Sequence, residues 1–206
     1  MNPFFSNIPT DNIKYVGFDM DGTLYDEFEF IIQVYTEISS LFIESDKCLS
    51  FMLQRWLQKG SSYNLIFDET FDIFKLKNKQ IKCDFINLAL NIFRNYSPKL
   101  ILPNRSKCIL TFLKEEYTLF LISDGNEKLQ REKYFSLNLD KYFDISNVCF
   151  TGKYSSDSHK PNIESLNYLN IIPEQAVFIG DRICDEEFAT NAKMKFKKVY
   201  NMIERH

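Results

Sequence analysis

Val16-Gly17-Phe18-Asp19-Met20-Asp21-Gly22-Thr23-Leu24-Tyr25 decides how the rest of the chain reads. An apolar run that begins at Tyr15 stops at two carboxylates separated by one residue, followed by a glycine and a threonine. A buried strand has this form when it delivers a reactive group, because ligands of open α/β sheets collect beyond the carboxyl ends of the strands. Asp19 is the group so placed; in mid-strand the same carboxylate would be buried without a partner. Gly22 supplies the permissive backbone for the turn that must follow. Taken alone, the two aspartates also fit turn and cap residues, so the later segments decide between the readings.

From Leu100 onward the chain alternates helix and strand. Asn104–Glu116 and Glu127–Leu137 read as helices, as do Pro161–Asn170, with proline at its opening, and Asp185–Ala192. Between them lie apolar runs at 117–122, 148–150 and 176–179, and a lysine-rich edge strand at 197–200. Strands joined by such helices imply right-handed crossovers and a mainly parallel sheet, an α/β Rossmann-like fold. Parallel strands present their C-terminal ends at one edge. Asp19, Ser123, the Gly152 loop and Asp181 are therefore expected to meet there.

Residues 27–98 have a different character. Phe28, Ile31, Tyr35, Ile38 and Phe42 recur at helical spacing. Leu49, Leu53, Trp56 and Leu57 form a second such face, closed by Gly60. Phe67, Phe71 and Phe74 suggest a third helix, and Phe85 to Phe93 a fourth, opened by Asp84. The expected organisation is a core from 1–26 and 99–206 with a small helical cap inserted at 27–98. Trp56 and the cap phenylalanines are read as the cap's own core. Asp26, Glu27 and Glu29, at the entry of the cap, are candidates to face a substrate or to serve as an acidic first turn.

With 206 residues, 45% of them hydrophobic, the chain can bury a full core. A net charge of -3 disfavours a nucleic-acid polymer or an anionic membrane as partner. Five scattered cysteines, none spaced Cys-x-x-Cys, suggest neither a disulfide framework nor a zinc site, and are read as small apolar residues of a reducing compartment. The stretch Met1–Thr10 lacks a basic region followed by an apolar run, and no segment approaches a membrane span. The expectation is a cytoplasmic protein.

Asp19-Met20-Asp21-Gly22-Thr23 resembles the first motif of the haloacid dehalogenase superfamily, and the later segments match its other motifs in order. Ser123 fits the second, Lys160 in His159-Lys160-Pro161 the third, and Gly180-Asp181-Arg182-Ile183-Cys184-Asp185 the fourth. The run from Ser123 through Gln130 and Lys133 to Asp144 resembles the subgroup with a helical cap. That subgroup includes phosphoglycolate phosphatases, pyrimidine nucleotidases and β-phosphoglucomutases. Asp124 stands where asparagine is usual, Ile163 replaces a frequent proline, and Ala192-Lys193 replaces the usual Ala-Gly.

The resemblance implies a Mg²⁺-dependent phosphatase that hydrolyses a small organic phosphate monoester through an aspartyl-phosphate on Asp19. Asp21 would be the general acid/base, protonated part of the time. Ser123 and Lys160 would hold phosphoryl oxygens. The side chains of Asp19 and Asp181 and the backbone carbonyl of Asp21 would hold the metal, with Asp185 binding it directly or through water. Four carboxylates against one lysine leave an excess of negative charge that such a cation would offset. The implied partner is a small phosphorylated metabolite; a phosphomutase acting on a sugar phosphate, or a binding protein that retained the fold, are the alternatives. Thr23 is read either as ordering the turn or as a cap only. His159 is read as a solvent-facing neighbour of Lys160, Asp124 as turned to solvent, and Lys193–Lys198 as a solvated edge.

Overall fold

Five strands carry the catalytic half of the chain: β1 (Tyr15–Phe18), β2 (Thr118–Ser123), β3 (Val148–Phe150), β4 (Ala176–Gly180) and β5 (Lys195–Lys198). The computed structural model describes residues 12–155 and 158–199. Met1–Thr10 and Tyr200, the expected end of the last strand, lie outside the described residues. The strands are all parallel in the order β3-β2-β1-β4-β5, so β1 is central and β5 forms an edge. After β3 the chain crosses to the far side of β1, so the topological switch point falls between β1 and β4. Every residue of β4 is buried, and so are the last five of β2 and the last three of β1, as continuous apolar runs in a covered parallel sheet require.

Seven α-helices occur among the described residues: α1 (Glu27–Ser39), α2 (Ser45–Lys59), α3 (Ile66–Ile73), α4 (Lys82–Asn95), α5 (Asn104–Glu116), α6 (Glu127–Ser136) and α7 (Ile183–Asn191). The chain divides into two compact units, Met1–Glu27 with Leu100–His206, and Phe28–Lys99. In the first unit Phe120 and Ile122 of β2, Phe178 of β4 and Phe188 of α7 share one buried cluster. The second unit has an aromatic core, with Phe42 against Phe85 at 5.1 Å and Phe30 against Phe93 at 5.3 Å between ring centroids. Its ends are clipped together by one side chain: the Gln33 amide donates to Lys99 O at 2.9 Å and accepts from Lys99 N at 2.9 Å.

Three sequence expectations are corrected. Residues 161–170 form no α-helix; a short 3₁₀ turn covers Glu164–Tyr168, preceded by Asn162, whose side chain accepts from Glu164 N at 3.3 Å. An asparagine that bonds its own backbone two residues on competes with helix formation. The last strand begins at Lys195 rather than Lys197. Helix α4 starts at Lys82, so Asp84 lies in its first turn and favours the dipole instead of capping it. No described helix is long and apolar enough to cross a membrane.

Candidate active site

Asp19 leaves the end of β1 with its backbone N–H bonded to Ile179 O of β4 at 2.9 Å, which sets it at the switch point. Its side chain is nearly buried, and Oδ1 lies 2.6 Å from the Lys160 ammonium. Lys160 Nζ is also 2.6 Å from Asp185 Oδ1, so one buried cation bridges two carboxylates. Burial pushes the Asp19 carboxyl up to about 8 despite the pull of Lys160 and Arg182, with Asp185 adding repulsion. Burial alone would lower the Lys160 ammonium, yet Asp19 and Asp185 together raise it. Asp19 Oδ2 is buried and has no hydrogen-bond partner, and the same is true of Ser123 Oγ at the end of β2. Orphaned polar atoms at the mouths of two adjacent strands suit a ligand that supplies their partners.

Asp181 follows β4 and is held from the neighbouring turn: Thr23 Oγ1 donates to its Oδ1 at 3.1 Å. Thr23 is fully buried, and its hydroxyl holds Asp181, a contact that neither of its two readings foresaw. Gly22 has φ +82°, and a Cβ there would fall 2.7 Å from Asp181 Oδ2, which explains glycine on both counts. Oxygens of Asp19, Asp181 and Asp185 lie within 4.8 Å of one another. Octahedral ligands at ~2.1 Å from a cation stand up to about 4.2 Å apart, so a small inward movement would converge them on a hard divalent ion. Asp185 is already committed, through Oδ1 to Lys160 and through Oδ2 to Arg182 N at 3.0 Å.

Asp21 is held by partners that the sequence alone did not name. Its Oδ1 accepts from Lys133 Nζ at 2.8 Å and from Tyr25 Oη, and its Oδ2 accepts from Gln130 Nε2 at 2.8 Å. Burial raises this carboxyl, but the charge of Lys133 and the hydrogen bonds from Lys133, Tyr25 and Gln130 outweigh it and hold the group below the ordinary range. These contacts favour the carboxylate over the acid, so Asp21 holds a proton less readily than an ordinary carboxyl. The charge balance changes too. Lys133 and Arg182 join Lys160 as cations of the site, and Arg182 pairs with Glu27 at 2.8 Å. Glu27 is therefore engaged by a core residue, and burial, with Asp21 adding repulsion, pushes it up to about 7.

Asp124 is not turned to solvent. Its Oδ1 accepts from Thr151 Oγ1 at 2.9 Å and from Lys160 N at 3.3 Å, tying the end of β2 to the two loops that follow β3. His159 is partly exposed, as expected, but its Nδ1 also lies 2.6 Å from Thr151 Oγ1. Sequence reasoning assigned no role to Tyr25, Gln130, Lys133, Thr151 or Arg182. The available signal was Gln130 and Lys133 sharing the α6 face of Leu129 and Tyr134, where polar residues are out of place. Cys48 and Cys149 are buried as small apolar residues, while Cys83 and Cys108 are exposed.

The family of haloacid dehalogenase-like hydrolases matches residues 16–199. A glyceraldehyde 3-phosphate phosphatase of Pyrococcus furiosus is 26% identical over 89% of this chain and 79% of its own. A Thermotoga maritima structure assigned as a beta-phosphoglucomutase superposes with a TM-score of 0.68 at 21% identity, covering 94% of this chain and 88% of that one. A magnesium-bound HAD-hydrolase structure of Bacillus subtilis gives a TM-score of 0.62 at 15% identity, covering 89% and 85%. Below 25% identity these structures speak to the shared fold.

Proposed function

The chain belongs to the haloacid dehalogenase-like hydrolase family, and from that premise we propose that it is a Mg²⁺-dependent phosphatase of small phosphorylated metabolites. The observation that carries the reading is the buried, unpartnered Oδ2 of Asp19, whose other oxygen is bonded to Lys160, with Ser123 Oγ equally unpartnered. The donor set fits magnesium: Asp19 and Asp181 side chains and the Asp21 backbone carbonyl would hold it, with Asp185 acting through water because both its oxygens are taken. When bound, the ion would neutralise phosphoryl oxygens and bring the Asp19 carboxyl down from about 8 towards its nucleophilic form.

Asp19 Oδ2 attacks phosphorus while the bond to the leaving oxygen breaks, and Asp21, once it has taken up a proton, gives it to that oxygen and ends as the carboxylate that Lys133, Tyr25 and Gln130 favour. Ser123 Oγ and Lys160 Nζ hold the phosphoryl oxygens. In the second step Asp21, now a carboxylate, takes a proton from water. The water oxygen attacks phosphorus, the bond to Asp19 breaks, and inorganic phosphate leaves. Relatives named for glyceraldehyde 3-phosphate make a triose phosphate the first compound to assay.

The test is phosphate release from a panel of triose, sugar and nucleotide phosphates, with and without chelator, alongside Asp19→Asn. Turnover that needs Mg²⁺ and vanishes in the variant supports the proposal, as does trapping of beryllium fluoride on Asp19. An Asn variant of comparable activity removes the covalent mechanism. Sugar phosphate isomerised without phosphate release would make the protein a mutase.

A further inference from the structure

Three donors converge on Asp21, and neither phosphate binding nor metal binding uses any of them. Lys133 is 2% exposed, Gln130 4% and Tyr25 fully buried. Lysine is almost never so deeply buried unless paired, and a buried ion pair is a poor source of stability beside a hydrophobic pair of similar volume. Their shared target is the group assigned two proton transfers.

The arrangement fixes Asp21 from two directions. Tyr25 lies four residues on in the same turn and reaches back to Oδ1. Gln130 and Lys133 stand three apart on one buried face of α6, so a single helix supplies a donor to each oxygen. The start of α6 is itself set by Asn126, whose side chain accepts from Leu129 N at 3.1 Å. Gln130 Nε2 also donates to Asp124 O, one residue beyond Ser123. The acid/base carboxylate and the phosphate-binding end of β2 are thereby held by the same side chain.

We infer that Tyr25, Gln130 and Lys133 are positioning residues that hold the Asp21 carboxylate in the orientation from which it exchanges a proton with the leaving oxygen. The inference rests on the phosphatase reading. A carboxylate lacking these donors rotates about two side-chain torsions, and misplacement by about 1 Å is enough to cost on the order of a hundredfold in rate.

The experiment compares Tyr25→Phe, Gln130→Leu and Lys133→Met on two substrates. One is p-nitrophenyl phosphate, whose leaving group departs with little protonic help. The other is the best alkyl phosphate found in the panel, whose alkoxide does not. General acid catalysis contributes typically a hundred- to ten-thousand-fold, so each variant is expected to lose at least about tenfold more kcat/KM, which reports the step that expels the leaving group, on the alkyl ester than on the aryl one. Lys133→Arg restores part of the difference. A substitution that only loosened the fold would lower both substrates alike. Should Lys133→Met fail to fold, Tyr25→Phe, which removes one oxygen, and Gln130→Leu decide.

Asp21→Asn separates the two levels of the argument. If it discriminates between the substrates and the three variants do not, the positioning role falls and the acid/base role stands. If its kcat/KM too falls equally on both, the general-acid assignment of Asp21 fails and the positioning role with it.

Discussion

Replacement of Gly152 by alanine should damage activity far more than stability. Gly152 follows β3, and a Cβ there would lie 1.9 Å from Gly125 O, 2.9 Å from Gly125 C and 3.0 Å from Glu127 N. Ordinary contact begins at 3.4 Å, so the two loops must part by about 1.5 Å, and every atom in the way is backbone. Overpacking of this kind costs typically 1–3 kcal/mol. For a chain of this size that lowers the melting temperature by roughly 2–12 °C. The displaced segment carries Asp124 and Thr151, whose bond positions Lys160 N and so the ammonium beside Asp19. A shift near 1 Å at such a site costs on the order of a hundredfold in kcat/KM. Thermal melts and steady-state kinetics on the same preparation provide the assay. A variant that melts lower yet keeps kcat/KM within a few-fold would refute the idea that contact between these loops sets the geometry of Lys160.

Saturating Mg²⁺ should raise the melting temperature by roughly 5–10 °C, the equivalent of about 2.7 kcal/mol at a hundred times Kd, and Asp181→Asn should remove most of that shift; an undiminished shift would place the ion elsewhere. Glu69 in the second unit accepts from Arg55 and Tyr63, whose hydrogen bonds lower its carboxyl from 4.5 to about 2. Because the folded value is depressed, its contribution is complete above pH 4.5 and disappears as pH falls towards 2. Urea titrations of wild type and Glu69→Gln should converge over that window, and a pH-independent gap would contradict the assignment. Burial raises the Cys48 and Cys149 thiols to about 12, so a thiol reagent at neutral pH should label exposed Cys83 and Cys108 first and reach the buried pair only on unfolding.

The sheet was legible because buried parallel strands are short apolar runs, and the chemistry at their ends interrupts them. Asp19, Ser123 and Asp181 each stand where such a run stops, and the structure brings them to one edge. Lys160 was legible only through the resemblance of His159-Lys160-Pro161 to the third motif of the family. Lys133 and Gln130 were not, because their place on the face of Leu129 and Tyr134 says only that they need a partner, and that partner lies 112 and 109 positions away. The pairing of Arg182 with Glu27 spans 155 positions and is hidden for the same reason. The 161–170 segment misled because proline at a helix entrance and a few apolar residues outweighed its three asparagines.

The Gln33 clip bears on how quickly this chain finds its sheet. Tyr15 and Thr118 pair across about a hundred positions, and ordering so long a loop slows the first contact between central strands. Once the Phe28–Lys99 unit has folded and Gln33 has closed its 66-residue span, the effective loop shrinks to somewhat under forty residues. The logarithmic dependence of closure entropy makes that worth about 1 kcal/mol, or roughly fivefold in rate. The inserted helices would then act as a folding tether. Gln33→Ala should slow refolding of the sheet while leaving its unfolding rate nearly unchanged, the behaviour of a contact made before the rate-limiting step.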